Sequence, residues 1–240
     1  MFTWLRTNRG FSGLQLKLLA VAAMVLDHTA ACGLVPEGWY QPLRTVGRLA
    51  FPIFAFLLAE GAAKTRNSLK YLLRLLLFAV LSELPYDLLF HQTAVYPGNQ
   101  NIFFTLLAGL GGICAFRGLE RKLPKAGQFA GVLVMLLLAF LAQLLGFDYG
   151  LEGVLLIFAM YSWRTVFWDS LICPLGLCCV FGYLWQGTTQ MWALAAFVPL
   201  FFYNGERGRK VNKYLFYAFY PVHLLVLLTV CILTAGSVTL

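Results

Sequence analysis

Charge is scarce in this chain: Asp, Glu, Lys and Arg make up 12% of its 240 residues, and only three residues are histidine. No polar block is long enough to bury a water-soluble core of its own. No Gly-x-Ser-x-Gly elbow, no His-Glu-x-x-His and no pair of aspartates in facing helix centres is present, which argues against an intramembrane protease. Cys32, Cys114, Cys173, Cys178, Cys179 and Cys231 lie in or at the ends of apolar runs and lack a metal-type spacing with histidine. They read as small packing residues rather than disulfides or metal ligands, and no metal is expected.

What the chain has in abundance is apolar length. Hydrophobic residues make up 60% of it, and the mean hydropathy is +0.77, above the range of soluble domains. The expected fold class is therefore all-α, a polytopic integral membrane protein forming one domain over residues 1–240. Residues 1–13, with Trp4, Arg6, Arg9 and Phe11, form an amphipathic segment suited to a membrane surface, ahead of a bundle over 14–235. Asp27 and His28 stand where a signal-peptide cleavage site would begin, so the first apolar run reads as an uncleaved helix.

Nine spanning candidates follow, at residues 14–34, 43–63, 69–90, 102–118, 127–146, 151–163, 166–185, 191–203 and 214–235. The sixth and eighth are short for a full crossing and are candidates for tilted, broken or re-entrant helices. With the N-terminus in the cytoplasm and the C-terminus outside, 16 of the 18 Lys and Arg residues face inward, leaving Arg44 and Arg48 toward the outside. The +8 net charge is then a belt facing anionic lipid or a polyanionic cytosolic ligand, with no nucleic acid required. The outer side is rich in carboxylates, with Asp27, Glu83, Asp87, Asp148 and Glu152 in outer helix halves or connections.

Ionisable groups at membrane depth are the functional suspects. Lys17 precedes His28 by eleven residues, which returns to nearly the same helix face about 16 Å further along. Asp27 projects about 100° away from its neighbour, so it is expected to pair with Arg48 rather than to orient the His28 ring. His223, Tyr220 or Asn101 is the expected partner of that imidazole. Pro52, one turn beyond Arg48, either kinks its helix or frees a carbonyl as a polar ligand. Glu60 lies near the inner end of the same segment. Lys70 and Arg74, one turn apart, either snorkel or clamp phosphate. Asp148, Tyr149 and Glu152 surround a glycine-bearing turn whose carboxylates suit one outer cavity, although a capped helix start explains Asp148 equally well. Near the end, Asn204 belongs to a loop rich in glycine and charge, and His223 lies beside Pro221. Two histidines at comparable depth suggest proton handling.

Several stretches together carry a resemblance: LKLLAVAAMVLDH at 16–28, GRLAFPIFAFLLAEG at 47–61, KYLLRL at 70–75, DYGLEG at 148–153, YNGERG at 203–208 and KYLFYAFYPVH at 213–223. In this order they resemble the TraX family of membrane acetyltransferases, which includes the enzyme that N-acetylates conjugative pilin. TraX is in turn similar to a wider superfamily of transmembrane acyltransferases. The resemblance implies a multi-pass enzyme of the bacterial inner membrane, using cytosolic acetyl-CoA and an acceptor peptide, glycan or lipid at or beyond the outer face. In the acyltransferase-3 branch a first-helix Arg precedes a catalytic His by the spacing of Lys17 and His28. Here Lys keeps the charge without the guanidinium fork. His28 is then a general base or an acetyl carrier, with Asp27 and His223 as its catalytic companions. Lys17, Lys70, Arg74, Arg207 and Lys213 are candidates for the CoA phosphates. A second reading of the same groups is a proton-coupled transporter, with Asp27, His28, Glu83 and His223 as a relay.

Overall fold

A computed structural model describes residues 10–162, 174, 176 and 189–235. The expected seventh span at 166–185 lies largely outside these residues. So do Trp4, Arg6, Arg9, Arg164, Cys173, Cys178 and Cys179.

Among the described residues, regular structure is helical apart from two isolated bridges. Helices α1 (Gly13–Ala31), α2 (Glu37–Gly47), α3 (Ala50–Lys64), α4 (Ser68–Phe90), α5 (Ile102–Lys122), α6 (Gly127–Leu144) and α7 (Gly150–Ser162) follow in order. Later in the chain come a 3-10 segment (Gln190–Ala196), α8 (Phe197–Phe201) and α9 (Lys213–Ala235). Among the described residues, five segments are long and apolar enough to cross a membrane: α1, Glu37–Lys64 taken as one, α5, α6 and Lys213–Thr234. Gly150–Ser162 and Gln190–Phe201 are apolar but short, as expected of the sixth and eighth candidates. Helix α4 has 23 residues, but Lys70, Arg74, Glu83 and Asp87 interrupt its apolar run. Its exposed face is nonetheless aliphatic, through Leu73, Leu76, Leu77, Val80, Leu81 and Leu84. Such a face belongs against lipid or another helix.

The second expected helix, 43–63, is two helices. Pro52 has no N–H for the carbonyl of Arg48, and its ring crowds that carbonyl. The helix accordingly stops at Gly47, with Arg48 and Leu49 as the joint, before α3 starts. The joint directs the Arg48 side chain toward α1.

Local chemistry fixes the other ends. Ser12 and Gln15 form a reciprocal capping box at the start of α1, and Asn67 and Asn101 cap α4 and α5 through their side chains. Helices α5 and α6 close tightly because Gly127 brings its backbone against the Leu119 carbonyl, where a Cβ would lie 2.3 Å from that oxygen. Alanines recur through the interior, among them the buried Ala20, Ala23, Ala55, Ala59, Ala79 and Ala139, and allow close helix approach.

Two straps tie the ends of the bundle. At the basic end, the loop after α8 holds the start of α1 through Gly13 N–H to the Glu206 carbonyl (2.8 Å) and Leu14 N–H to the Arg207 carbonyl (3.1 Å). At the far end, Gln100 N–H donates to Gly146 (2.7 Å) and Asp148 N–H to Gln100 (2.9 Å). Helices α1 and α9 both start at the basic end and run in the same direction, which brings their histidines to one level.

Candidate functional site

A cavity of about 420 Å³ runs inside the bundle, bordered by α1, the α2–α3 pair, α4, α5, the α6–α7 turn and α9. Lys17 and Lys213 border it at the basic end. Met24, Phe54, Leu57, Leu75 and Leu106 make an apolar middle, and Asp27, Arg44, Arg48, Asp148 and Tyr149 border the far part. The Lys17 ammonium sits over the Phe216 ring, 4.7 Å from its centroid, an attractive cation–π placement.

His28 borders the far part of this cavity, at the level of Asp27. Its Nδ1 lies 2.8 Å from Nε2 of His223, and Nδ1 of His223 lies 3.1 Å from the Phe219 carbonyl oxygen. That carbonyl can only accept, so His223 Nδ1 carries a proton and donates it. In the neutral pair, His223 Nε2 is then the acceptor and His28 Nδ1–H the donor. The His28 proton therefore resides on Nδ1, and Nε2 keeps its lone pair with no hydrogen-bond partner among the described residues. The rings stack at 5.0 Å, and Phe90 meets His28 edge-on at 5.3 Å, so packing fixes the orientation that the hydrogen bonds select.

Asp27, expected among the catalytic groups, makes no hydrogen bond to either histidine. One of its carboxylate oxygens accepts from Arg48 Nη2 at 2.6 Å and the other from Arg44 Nη1 at 2.8 Å. Arg48 also reaches Gln190 at 3.3 Å. The expected Asp27–Arg48 pair is thus present and is joined by Arg44, four residues earlier on the same helix face. Gly47 permits this approach: a Cβ there would lie 2.3 Å from the Asp27 Cβ. Removing Asp27 would leave two guanidiniums without their shared carboxylate, which gives the cluster a fastening role between α1 and α2.

On the far wall, Tyr149 stacks on Phe51 at 4.0 Å between centroids and holds φ at +60°, a left-handed conformation that is costly for a tyrosine. Asp148, in the connection between α6 and α7, is half-buried beside Arg48. Burial pushes its carboxyl up to about 6, against the attraction of the arginine. Its carbonyl accepts a hydrogen bond from the Thr105 hydroxyl.

Of the residues singled out from sequence, Lys17, Asp27, His28, Arg48, Asp148, Tyr149, Lys213 and Tyr220 border the cavity, and His223 stands one hydrogen bond behind it. The others do not border it. Lys70 is exposed in the first turn of α4, where only its backbone N–H is engaged, by Asn67. Arg74 sits over the rings of Tyr71 and Tyr217, at 5.5 and 6.0 Å, and these two tyrosines border the cavity in its place. Arg207 and Asn204 belong to the basic-end strap. Glu60 is paired with Lys64 at 2.7 Å. Glu83 accepts from the Asn101 side chain and from its backbone N–H, so Asn101 organises α4 and α5 and does not bond His28. Glu152 lies in the first turn of α7. The four residues of a transporter relay fall into three groups: His28 with His223, Asp27 with two arginines, and Glu83 with Asn101. Sequence reasoning missed Arg44, Gln190, Tyr71, Tyr217 and the Phe219 carbonyl. Only Arg44 left a local signal, its four-residue spacing from Arg48.

Comparison with known proteins bears on this arrangement. The family model described as TraX protein matches residues 12–231. A relative from Dichelobacter nodosus, described as "Probable fimbrial assembly protein FimC, serogroup H1", is 32% identical over 249 aligned residues, covering 92% of this chain and 96% of its own length. No solved structure matches.

Proposed function

Because the chain belongs to the TraX family, we propose that it is an acetyltransferase of the bacterial inner membrane acting in pilus or fimbrial assembly. It takes acetyl from cytosolic acetyl-CoA and transfers it to an amine or hydroxyl of an acceptor at or across the membrane. The bundle is inserted with its N-terminus in the cytoplasm and crosses nine times, so the basic end faces the cytosol. The observation that carries this reading is His28, hydrogen-bonded through Nδ1 to His223, on the wall of a cavity whose other end is bordered by Lys17 and Lys213.

The residues present fit such a donor. Lys17 and Lys213 hold phosphate as point charges, and the apolar stretch through Met24 and Leu75 takes the arm of the thioester. His28 Nε2 accepts the proton of the acceptor N–H or O–H while the acceptor atom bonds the acyl carbon. The C–S bond breaks, and the proton passes from His28 to the departing thiolate. As Nε2 is protonated, the Nδ1–H bond to His223 strengthens, and His223 is fixed in turn by Phe219. This holds the imidazolium in place without a carboxylate at the ring. General-base catalysis of this kind is typically worth about 10²–10⁴-fold.

The test is transfer of labelled acetyl from acetyl-CoA by the purified full-length protein in liposomes, to peptides with a free N-terminus and to hydroxyl acceptors. Label on an acceptor supports the reading. Liposome uptake of a solute without acetyl-CoA turnover would overturn it in favour of transport.

A further inference from the structure

Helices α1 and α9 meet again beyond their histidines. Cys32 closes α1 one turn past His28, and Cys231 lies on α9 eight residues past His223, so both face the end of the bundle opposite Lys17 and Lys213. The Cys231 thiol points at the Cys32 carbonyl oxygen, 4.0 Å away, across a chain separation of 199 residues. Each cysteine is half-buried, shielded enough to be held in place and open enough for a small oxidant.

We propose that Cys32 and Cys231 are a modification site, a thiol pair oxidised to an intramolecular disulfide that staples α1 to α9. Oxidation proceeds by exchange with a disulfide-bearing donor, either an oxidised dithiol protein or oxidised glutathione. One of the two thiolates attacks one donor sulfur, forming a mixed disulfide and releasing the first donor thiolate. The other thiolate then attacks the protein sulfur of that mixed disulfide and releases the second. Two cysteine thiols and one donor disulfide become one protein disulfide and two donor thiols. In the proposed insertion this end of the bundle lies outside the cytoplasm, where such bonds persist. The staple would sit about one turn past His28 on α1 and about two turns past His223 on α9, and hold the two helices in the register that their hydrogen bond needs. That consequence rests on the proposed function, whereas the pairing of the thiols does not.

Single cysteines in an apolar seam are ordinary packing residues, so the experiment must read the pair. Full-length protein in native membranes is treated with oxidised glutathione or with dithiothreitol, alkylated with a maleimide under denaturing conditions, digested and mapped by mass. After oxidation, Cys32 and Cys231 should escape alkylation and appear as one cross-linked peptide, which dithiothreitol converts to two labelled peptides. Cys114→Ser should leave the cross-link intact, whereas Cys32→Ser or Cys231→Ser should abolish it and leave the remaining thiol labelled. Full labelling of both cysteines after oxidation, a cross-link to another cysteine, or capture only as glutathione adducts would overturn the proposal. Acetyl transfer measured on the same samples separates the two claims: a cross-linked protein without transfer removes the proposed function alone, and transfer without the cross-link removes the disulfide alone.

Discussion

Replacing Gly47 by alanine tests how closely the far end of the site is built. The added Cβ would lie 2.3 Å from both Cβ and Oδ1 of Asp27 and 2.5 Å from its Cγ, whereas carbon atoms in contact sit about 3.5–4.0 Å apart. Helix α2 must therefore move from α1 by about an ångström or more. The Asp27 hydrogen bonds to Arg48 and Arg44, at 2.6 and 2.8 Å, would be stretched beyond hydrogen-bonding range by such a shift. Overpacking alone costs about 1–3 kcal/mol, and partial loss of a buried ion pair brings the expected total to about 2–4 kcal/mol. For a chain of this size that lowers the apparent melting temperature by roughly 5–15 °C. The assay is thermal unfolding in detergent beside Gly111→Ala, a helical glycine where an added Cβ would meet nothing within 4 Å. Gly111→Ala should be neutral or stabilising by up to about 1 kcal/mol. If Gly47→Ala melts with Gly111→Ala, the Asp27 cluster does not hold α1 against α2 and the reasoning fails.

Three further predictions concern the cavity. His223→Phe removes the acceptor of the His28 Nδ1–H, so kcat for acetyl transfer should fall about 10–100-fold, the size of a lost buried hydrogen bond of about 1.5–3 kcal/mol, with KM for acetyl-CoA unchanged. A KM effect alone would contradict a positioning role for His223. Lys17→Ala combined with Lys213→Ala should raise the KM for acetyl-CoA by roughly tenfold, about 1.4 kcal/mol, while Lys70→Ala should leave it within about twofold; equal effects would refute the assignment of the basic end. Asp148 has its carboxyl raised to about 6, so the folded protein resists its ionisation, and stability should fall as pH rises from the ordinary carboxylate range through 6. Asp148→Asn should remove that fall, raising the melting temperature at pH 8 relative to wild type more than at pH 4, and an identical shift at both pH values would contradict it.

Parts of this arrangement were legible in the sequence because they are local. The face shared by Lys17, Met24 and His28 follows from helical periodicity, and both the cation and the imidazole do border one cavity. The Asp27–Arg48 pair followed from equal depth on neighbouring helices. Pro52 announced a disturbance, yet whether the chain kinks or stops at Arg48 depends on what α1 offers the freed side chain. The choice of His223 over Tyr220 and Asn101 as the partner of His28 depends on how α9 sits against α1. No residue spacing encodes that, since 195 residues separate the two histidines. Lys70 and Arg74 have the residue types of a phosphate clamp, but the rotation of α4 leaves one exposed and the other behind Tyr71 and Tyr217. The left-handed backbone of Tyr149 is likewise a tertiary result, imposed on a residue that does not favour it.

The most direct test of the central claim is acetyl transfer by His28→Ala and His28→Gln variants, each verified as inserted and folded in membranes. If the lone pair of His28 Nε2 accepts the acceptor's proton, both should lose about 10²–10⁴-fold in kcat while still binding acetyl-CoA. Transfer at the wild-type rate by either correctly inserted variant would contradict the account.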